Sequence, residues 1–261
     1  MLSTVKNTSP LQYPAGRNPG FSSTHLAAST PRFSAVASGN GAFVSLLDNG
    51  VGTLQAGTPA AAIDPVMGPV TNMGNLGQIN YPTRSVTTEA IYTMAGILAF
   101  TSFTGNQWLF SNGASAGTDF LIGSASVGFE FFNGSFAVSN ISLVANVPYF
   151  VIGSISAATA NFLVMNLNTG AIRTVSVAGL AVSAPSGAYI VGSNPISVGA
   201  SNKIAAVMYS VGHLLSIAEM REWAQDPWTY WFPRKSDQIM SIAVRGVVAP
   251  VLAGRQNLAM M

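Results

Sequence analysis

The sequence predicts an all-β protein: an antiparallel two-sheet sandwich with one short helix near the C-terminus and extended arms at both ends. Three observations predict it. Charged residues make up 8% of the chain, against roughly 25% in an ordinary soluble domain, so outward strand faces must carry hydroxyls and amides. Short apolar runs recur along the chain, and each is broken by a glycine or asparagine turn, the pattern of strands joined by hairpins. Only one stretch, LSIAEMREWAQDPWTYWFPRK (Leu215–Lys235), carries the charges and capping signals of a helix. The 261 residues are enough for one large β domain or two small ones.

Residues 1–31 are rich in Ser, Thr, Pro, Asn and Gly and lack periodicity, which reads as an extended arm, disordered alone or ordered against a partner. From Arg32 the pattern turns to β-like runs, RFSAVASG and then GAFVSLLDNG, where DNG is a strong turn signal. AGTPAAAIDPVMGPVTNMGNLG reads as a loop, because its prolines and glycines argue against a central strand. SVTTEAIYTMAGILAFTSF reads as one or two strands and QWLFSNG as a strand ending in a turn. TDFLIGSASVGFEFFNGSFAVSNISLV alternates apolar with small residues and breaks at NG. PYFVIGSIS and NFLVMNLNTGAIRTVSVAG come next, with NLNTG as a hairpin turn between Val164 and Ile172. AYIVGSN and NKIAAVMYSVGHLLS close the series. About ten to twelve strands in all point to a sandwich rather than to strands alternating with helices.

The helix is read from Ser216. Its hydroxyl and the Glu219 side chain form a capping box, and Glu219 and Glu222 lie where acidic residues favour the helix dipole. Ile217, Met220 and Trp223 recur at helical spacing as an apolar stripe, and Pro227 disfavours helical geometry at Asp226 and ends the element. Ile217, Met220, Trp223 and Trp228 are therefore assigned to a seam between helix and sheet. Trp231 and Phe232, beyond the helix, either finish that seam or contact a neighbouring subunit, and are candidates for an interface. The C-terminal extension, 234–261, adds Ile239, Ile242, Val244, Val247 and Val248 to the candidate interface. It reads either as a final strand of the same domain or as an arm that adds to a neighbour's sheet.

Several function classes are excluded or weakened. No run of about 18–20 apolar residues exists for a spanning helix, so no membrane insertion is expected. The opening MLSTVKNTSPLQYP lacks the apolar core of a secretory signal, so the sequons at Asn7, Asn133 and Asn140 carry no weight. Cysteine is absent, which removes disulfides, thiolate metal sites and a cysteine nucleophile, and fits synthesis in a reducing cytoplasm. Glycoside hydrolysis needs two neighbouring carboxylates, and no E-x-D-x-x-E-like strand occurs. Glu130 in VGFEFFNG is the sole strand-interior acid in an apolar setting, read as structural. Of the two histidines, His25 falls in the arm and His213 in a turn, with no G-x-S-x-G elbow for a triad. Asp119 with Asn112 is the weak option for calcium. Arg234, Lys235, Arg245 and Arg255 are spread without aromatic interleaving, so nucleic-acid binding is not expected. No catalytic, metal or cofactor site is assigned.

AAVMYSVGHLLSIAEMREWAQDPW resembles the last strand and C-terminal helix of laminin-G-like, concanavalin A-like jelly-roll domains. Val207, Tyr209, Leu215, Ser216, Glu219, Asp226, Pro227 and Trp228 fit that signature, and His213 stands where the family often has arginine. YFVIGSIS and GAYIVGSNP resemble upstream strands of the same family. The resemblance implies a jelly-roll sandwich over 32–233. Among its members, the DPW signature followed by a Phe-Pro-Arg segment is most similar to proteins from phage structural-gene regions. The expectation is a non-enzymatic virion protein, made in the host cytoplasm, as a capsid decoration, head fibre, spike or tail component. Its partners would be other virion proteins and further copies of itself, with a trimer as one form. The alternative is a carbohydrate-binding module for host attachment. No cofactor is implied.

Overall fold

The computed structural model describes residues 11–15, 17, 19, 30–38, 41–47, 52–74, 78–81, 90–103, 107–112, 118–182, 189–192 and 202–233. The expected interface residues Ile239, Ile242, Val244, Val247 and Val248, the arginine and lysine residues after the helix, and His25 lie outside the described residues. The strands, in chain order, are β1 (Thr30–Ala37), β2 (Phe43–Ser45), β3 (Thr53–Ala56), β4 (Ala60–Asp64), β5 (Gly68–Asn72), β6 (Gln78–Tyr81), β7 (Tyr92–Phe100) and β8 (Gln107–Ser111). They continue with β9 (Asp119–Ser124), β10 (Gly128–Phe132), β11 (Phe136–Val138), β12 (Pro148–Ile155), β13 (Thr159–Asn166), β14 (Ile172–Ala178), β15 (Tyr189–Gly192) and β16 (Asn202–Val211), with one helix, α1 (Ile217–Trp223), after them. Sixteen strands among the described residues exceed the ten to twelve expected, because short edge strands leave little periodicity in a sequence.

Two antiparallel sheets form a β-sandwich. The first runs β14-β13-β12-β7-β16-β1-β2, and the second runs β11-β10-β9-β8-β15-β6-β3. The nine-stranded sheet branches at β16: residues 206–211 pair with β1, whereas Lys203 and Ile204 pair with Asn72 and Thr71 of β5. The segment expected as a loop is in fact the β4–β5 hairpin on this branch. Its prolines are tolerated there: Pro59 precedes β4, Pro65 sits in the turn, and Pro69 pairs with Ile63 of β4 but lies outside the Thr71–Asn72 stretch by which β5 joins β16. Asp64 closes the turn by accepting from the Val66 and Met67 amides, at 2.9 and 3.1 Å. The NLNTG turn joins β13 to β14 as expected, with Asn166 Oδ1 accepting from Asn168 N at 2.9 Å.

The space between the sheets is filled largely by rings, among them Phe33, Tyr92, Phe110, Phe120, Phe129, Phe131, Phe162 and Tyr209. Phe120 and Phe131 stack at 4.8 Å over Gly153, where an added Cβ would come within 2.8 Å of both rings. A second apolar cluster lies on the other face of the nine-stranded sheet and contains Ala95, Ile97, Phe150, Ile152, Leu163 and Met208. All nine residues of β7 and all eight of β12 are buried. This sheet therefore needs a cover on both faces, and its strands read as continuous apolar runs rather than as alternation.

Candidate functional site

The stretch after β16 supplies the second cover. Ser154 and Asn161 on the outer face fix the entry of the chain: Leu215 N donates to Ser154 Oγ at 2.9 Å, and Asn161 Nδ2 donates to Leu215 O at 2.8 Å. The capping box then forms as expected, with Ser216 N donating to Glu219 Oε2 at 2.7 Å and Glu219 N donating to Ser216 Oγ at 3.3 Å. Hydrogen bonds from the Ser216 side chain and amide hold the Glu219 carboxyl below the usual carboxylate range. His213 Nε2 lies 2.8 Å from Glu219 Oε1, which ties the turn to the helix. The helix ends at Trp223, ahead of Pro227, and successive turns carry the chain to Phe232.

Met220, Trp223 and Trp228 are buried on the outer face of the nine-stranded sheet, and Ile217 packs half-buried beside them. Trp223 meets Phe150 edge-on at 5.2 Å. The Trp231 ring is fully buried within the chain, and its Nε1 donates to Val207 O at 3.1 Å. Phe232 is 4% exposed and packs on Trp228 and on Tyr13 of the N-terminal arm, at 5.8 and 5.3 Å. Both rings are buried within this chain and belong to the same apolar cluster as Met220, Trp223 and Trp228.

The arm contributes residues that no sequence pattern singles out. Tyr13 N donates to Val66 O at 2.8 Å, and the ring stands edge-on to Trp228 at 5.5 Å. Trp228 Nε1 donates to Leu11 O at 3.1 Å. Arg17 Nη1 lies 3.2 Å from both Asp226 Oδ2 and Phe232 O. Residues 11–15 and 17 thus lie on this chain's own fold, and no local pattern could signal contacts such as Trp228 to Leu11, made across more than two hundred residues.

The acids that could do chemistry are elsewhere. On β10, Phe129 and Phe131 point into the intersheet core, so Glu130 faces outward from the seven-stranded sheet. The register pairs Glu130 with Leu121 and Phe132 with Asp119, which puts Asp119 on the same face one diagonal step away. Both acids are buried, with 4% and 6% of their surface exposed. Burial pushes the Glu130 carboxyl up to about 7. Asn112 Oδ1 accepts from Thr118 N and so ties that loop together. Among the described residues no group of three or more His, Asp or Glu side chains could hold a metal ion, and no helix is long and apolar enough to cross a membrane.

An open cleft of about 170 Å³ is lined by Ile141, Ser142, Val144, Tyr149, Val164, Asn166, Ala171 and Arg173. It lies where the 141–144 loop crosses the β13–β14 hairpin. Tyr149 Oη accepts from Val144 N at 2.9 Å and fixes the loop over the sheet. Arg173 pairs in register with Val164 and is exposed.

No protein-family model matches the chain, and no curated protein does. Solved structures do match it in fold. Domain 4 of an extracellular GH43 arabinanase from Geobacillus stearothermophilus, in complex with arabinotriose, superposes with a TM-score of 0.55 at 12% identity, over 76% of this chain and 99% of that one. The ligand-binding domain of botulinum neurotoxin serotype D, in complex with N-acetylneuraminic acid, gives a TM-score of 0.55 at 10% identity, over 77% and 52%. Trypanosoma rangeli sialidase in complex with sialic acid gives 0.50 at 12% identity, over 77% of this chain. The chain spans about a third of the length of that sialidase, 33%. At these identities the likeness shows the fold alone: an antiparallel β-sandwich.

The seam and the buried acid each have a measurable consequence. Trp231→Ala removes a fully buried ring and its hydrogen bond and should lower the unfolding free energy by about 3–5 kcal/mol, read by urea denaturation; a loss below about 1 kcal/mol would mean the ring is not packed. For Glu130, the folded value of about 7 exceeds the ordinary 4.5, so the folded state holds the proton longer. Its contribution therefore makes stability fall as pH rises between those values. Glu130→Gln should remove that part of the decline in denaturation midpoint, whereas equal slopes for both proteins would contradict it.

Proposed function

We propose that this chain is a non-enzymatic structural protein of a phage virion, a capsid decoration, head fibre, spike or tail component built on a laminin-G-like jelly roll. The observation that carries the reading is the fate of the DPW segment. The segment with the phage-type signature, rich in charge and tryptophan, packs onto the fold, with Trp223, Trp228 and Trp231 buried. The two acids that share a face, Glu130 and Asp119, are buried, which argues against a glycosidase pair working on a bound chain. The low charge of the whole sequence, 8%, suits a surface covered by neighbours in an assembly. In this reading the protein is made in the host cytoplasm and assembles as a homo-oligomer, such as a trimer, through the 234–261 extension with Ile239, Ile242, Val244, Val247 and Val248.

A second reading, a carbohydrate-binding module for host attachment, is favoured by the cleft at Tyr149 and Arg173. The arabinanase domain and the neurotoxin domain, which hold arabinotriose and N-acetylneuraminic acid, are sandwiches of similar fold. Quantitative mass spectrometry of purified particles tests the first reading. The chain should be present at a fixed copy number, and a protein lacking residues 236–261 should fold but be lost from particles. Absence of the full chain from particles would overturn the proposal.

A further inference from the structure

We propose that the cleft between the 141–144 loop and the β13–β14 hairpin binds the carboxylate-bearing ring of an acidic sugar, with Arg173 as the group that takes the carboxylate. The inference rests on the carbohydrate-binding reading and names its site and ligand class.

Arg173 holds an unusual place in the sheet. Side chains alternate along a strand, so Arg173 shares the face of Val175 and Val177, which pack against the intersheet core. The register continues that row through Val164 to Val151, both buried in the same core. An arginine thus ends a row of valines at the mouth of the sandwich. Among the described residues its guanidinium has no hydrogen-bond or ion-pair partner, and no carboxylate lines the cleft. A guanidinium is a planar fork suited to two parallel hydrogen bonds from one carboxylate. Placed beside apolar walls it gains more from such a pair than it would in open water.

The remaining lining fits a sugar ring better than a bare anion. Tyr149, Val164 and Ile141 offer a buried apolar floor, and Val144, 61% exposed, offers a wall for the C–H face of a ring. Asn166 Oδ1 is held by the Asn168 and Thr169 amides, which leaves its Nδ2 as a donor for a hydroxyl. Ser142 adds a donor and acceptor at the exposed rim. The loop is already fixed by the Tyr149–Val144 hydrogen bond, so little ordering is needed on binding. A volume of 170 Å³ is small beside the roughly 300–1,000 Å³ of clefts for drug-sized ligands, which suits one terminal ring rather than a long chain.

The test titrates the full chain, followed by amide NMR shifts, with methyl glucuronide and N-acetylneuraminic acid, and with methyl glucoside and acetate as controls. Either acidic sugar should bind and shift the amides of 141–144 and 171–173, while methyl glucoside and acetate bind at least about tenfold more weakly. Arg173→Gln, on an exposed position, should weaken the acidic sugar by about tenfold or more, and Ser142→Trp, which fills the cleft from its rim, should abolish binding. Equal binding of glucoside, blocked by Ser142→Trp but indifferent to Arg173→Gln, would overturn the acidic class and keep a sugar site. Equal binding of acetate would leave only an anion site and overturn the proposal. No binding of any sugar would sink both the proposal and the carbohydrate reading beneath it.

Discussion

The outer face of the nine-stranded sheet has to be dry, and the rest of the fold depends on how that is achieved. β7 and β12 are buried along their whole length, so the sheet is apolar on the side away from its partner sheet as well as toward it. An exposed apolar face of that extent would drive association or collapse. The chain covers it with its own C-terminal segment, whose four largest rings, Trp223, Trp228, Tyr230 and Trp231, are all at most 1% exposed. Each buried aromatic contributes on the order of 1.5–3 kcal/mol by removal from water alone.

Covering a face with rings raises a polar problem, because indole N–H groups and exposed backbone must find partners. The polar contacts of the seam answer it for the Trp228 and Trp231 indoles, whereas the buried Trp223 Nε1 has no partner among the described residues. Ser154 and Asn161 clamp both backbone groups of Leu215. Trp231 Nε1 uses a carbonyl of β16, and Trp228 Nε1 uses a carbonyl of the N-terminal arm. Arg17 then joins the arm to Asp226 and to the backbone of Phe232. The seam thereby draws residues 11–15, 17 and 213–232 into one layer. Leu11 and Phe232 both touch Trp228 on that side of the sandwich.

Much of this was legible in the sequence, for physical reasons that differ by element. The capping box at Ser216 and the hairpin at NLNTG are local devices, determined by residues within a few positions of each other, and both form as the sequence predicts. The β4–β5 hairpin was hidden because prolines report local backbone cost, not whether a strand lies at a periphery where that cost is small. Trp231 and Phe232 were open to two readings, since tryptophan spacing says nothing about the size of the face beneath. Tyr13 and Arg17 were illegible: their partners stand across nearly the whole chain. For the cleft, Arg173 sits in the apolar–polar run IRTVSVA and looks like any solvent-facing strand residue until the register with Val164 places it at the end of a core row.

Tryptophans sealed within a single chain, rather than against a neighbour, must be dry in the monomer itself. Acrylamide quenching of tryptophan fluorescence, measured on the dilute monomer, tests this most directly. With Trp108, Trp223, Trp228 and Trp231 exposed by no more than 6%, the emission should be blue-shifted, with weak quenching that rises only when the chain unfolds. Red-shifted emission with strong quenching in the native monomer, lost on oligomerisation, would contradict the sealed seam and return these rings to an interface.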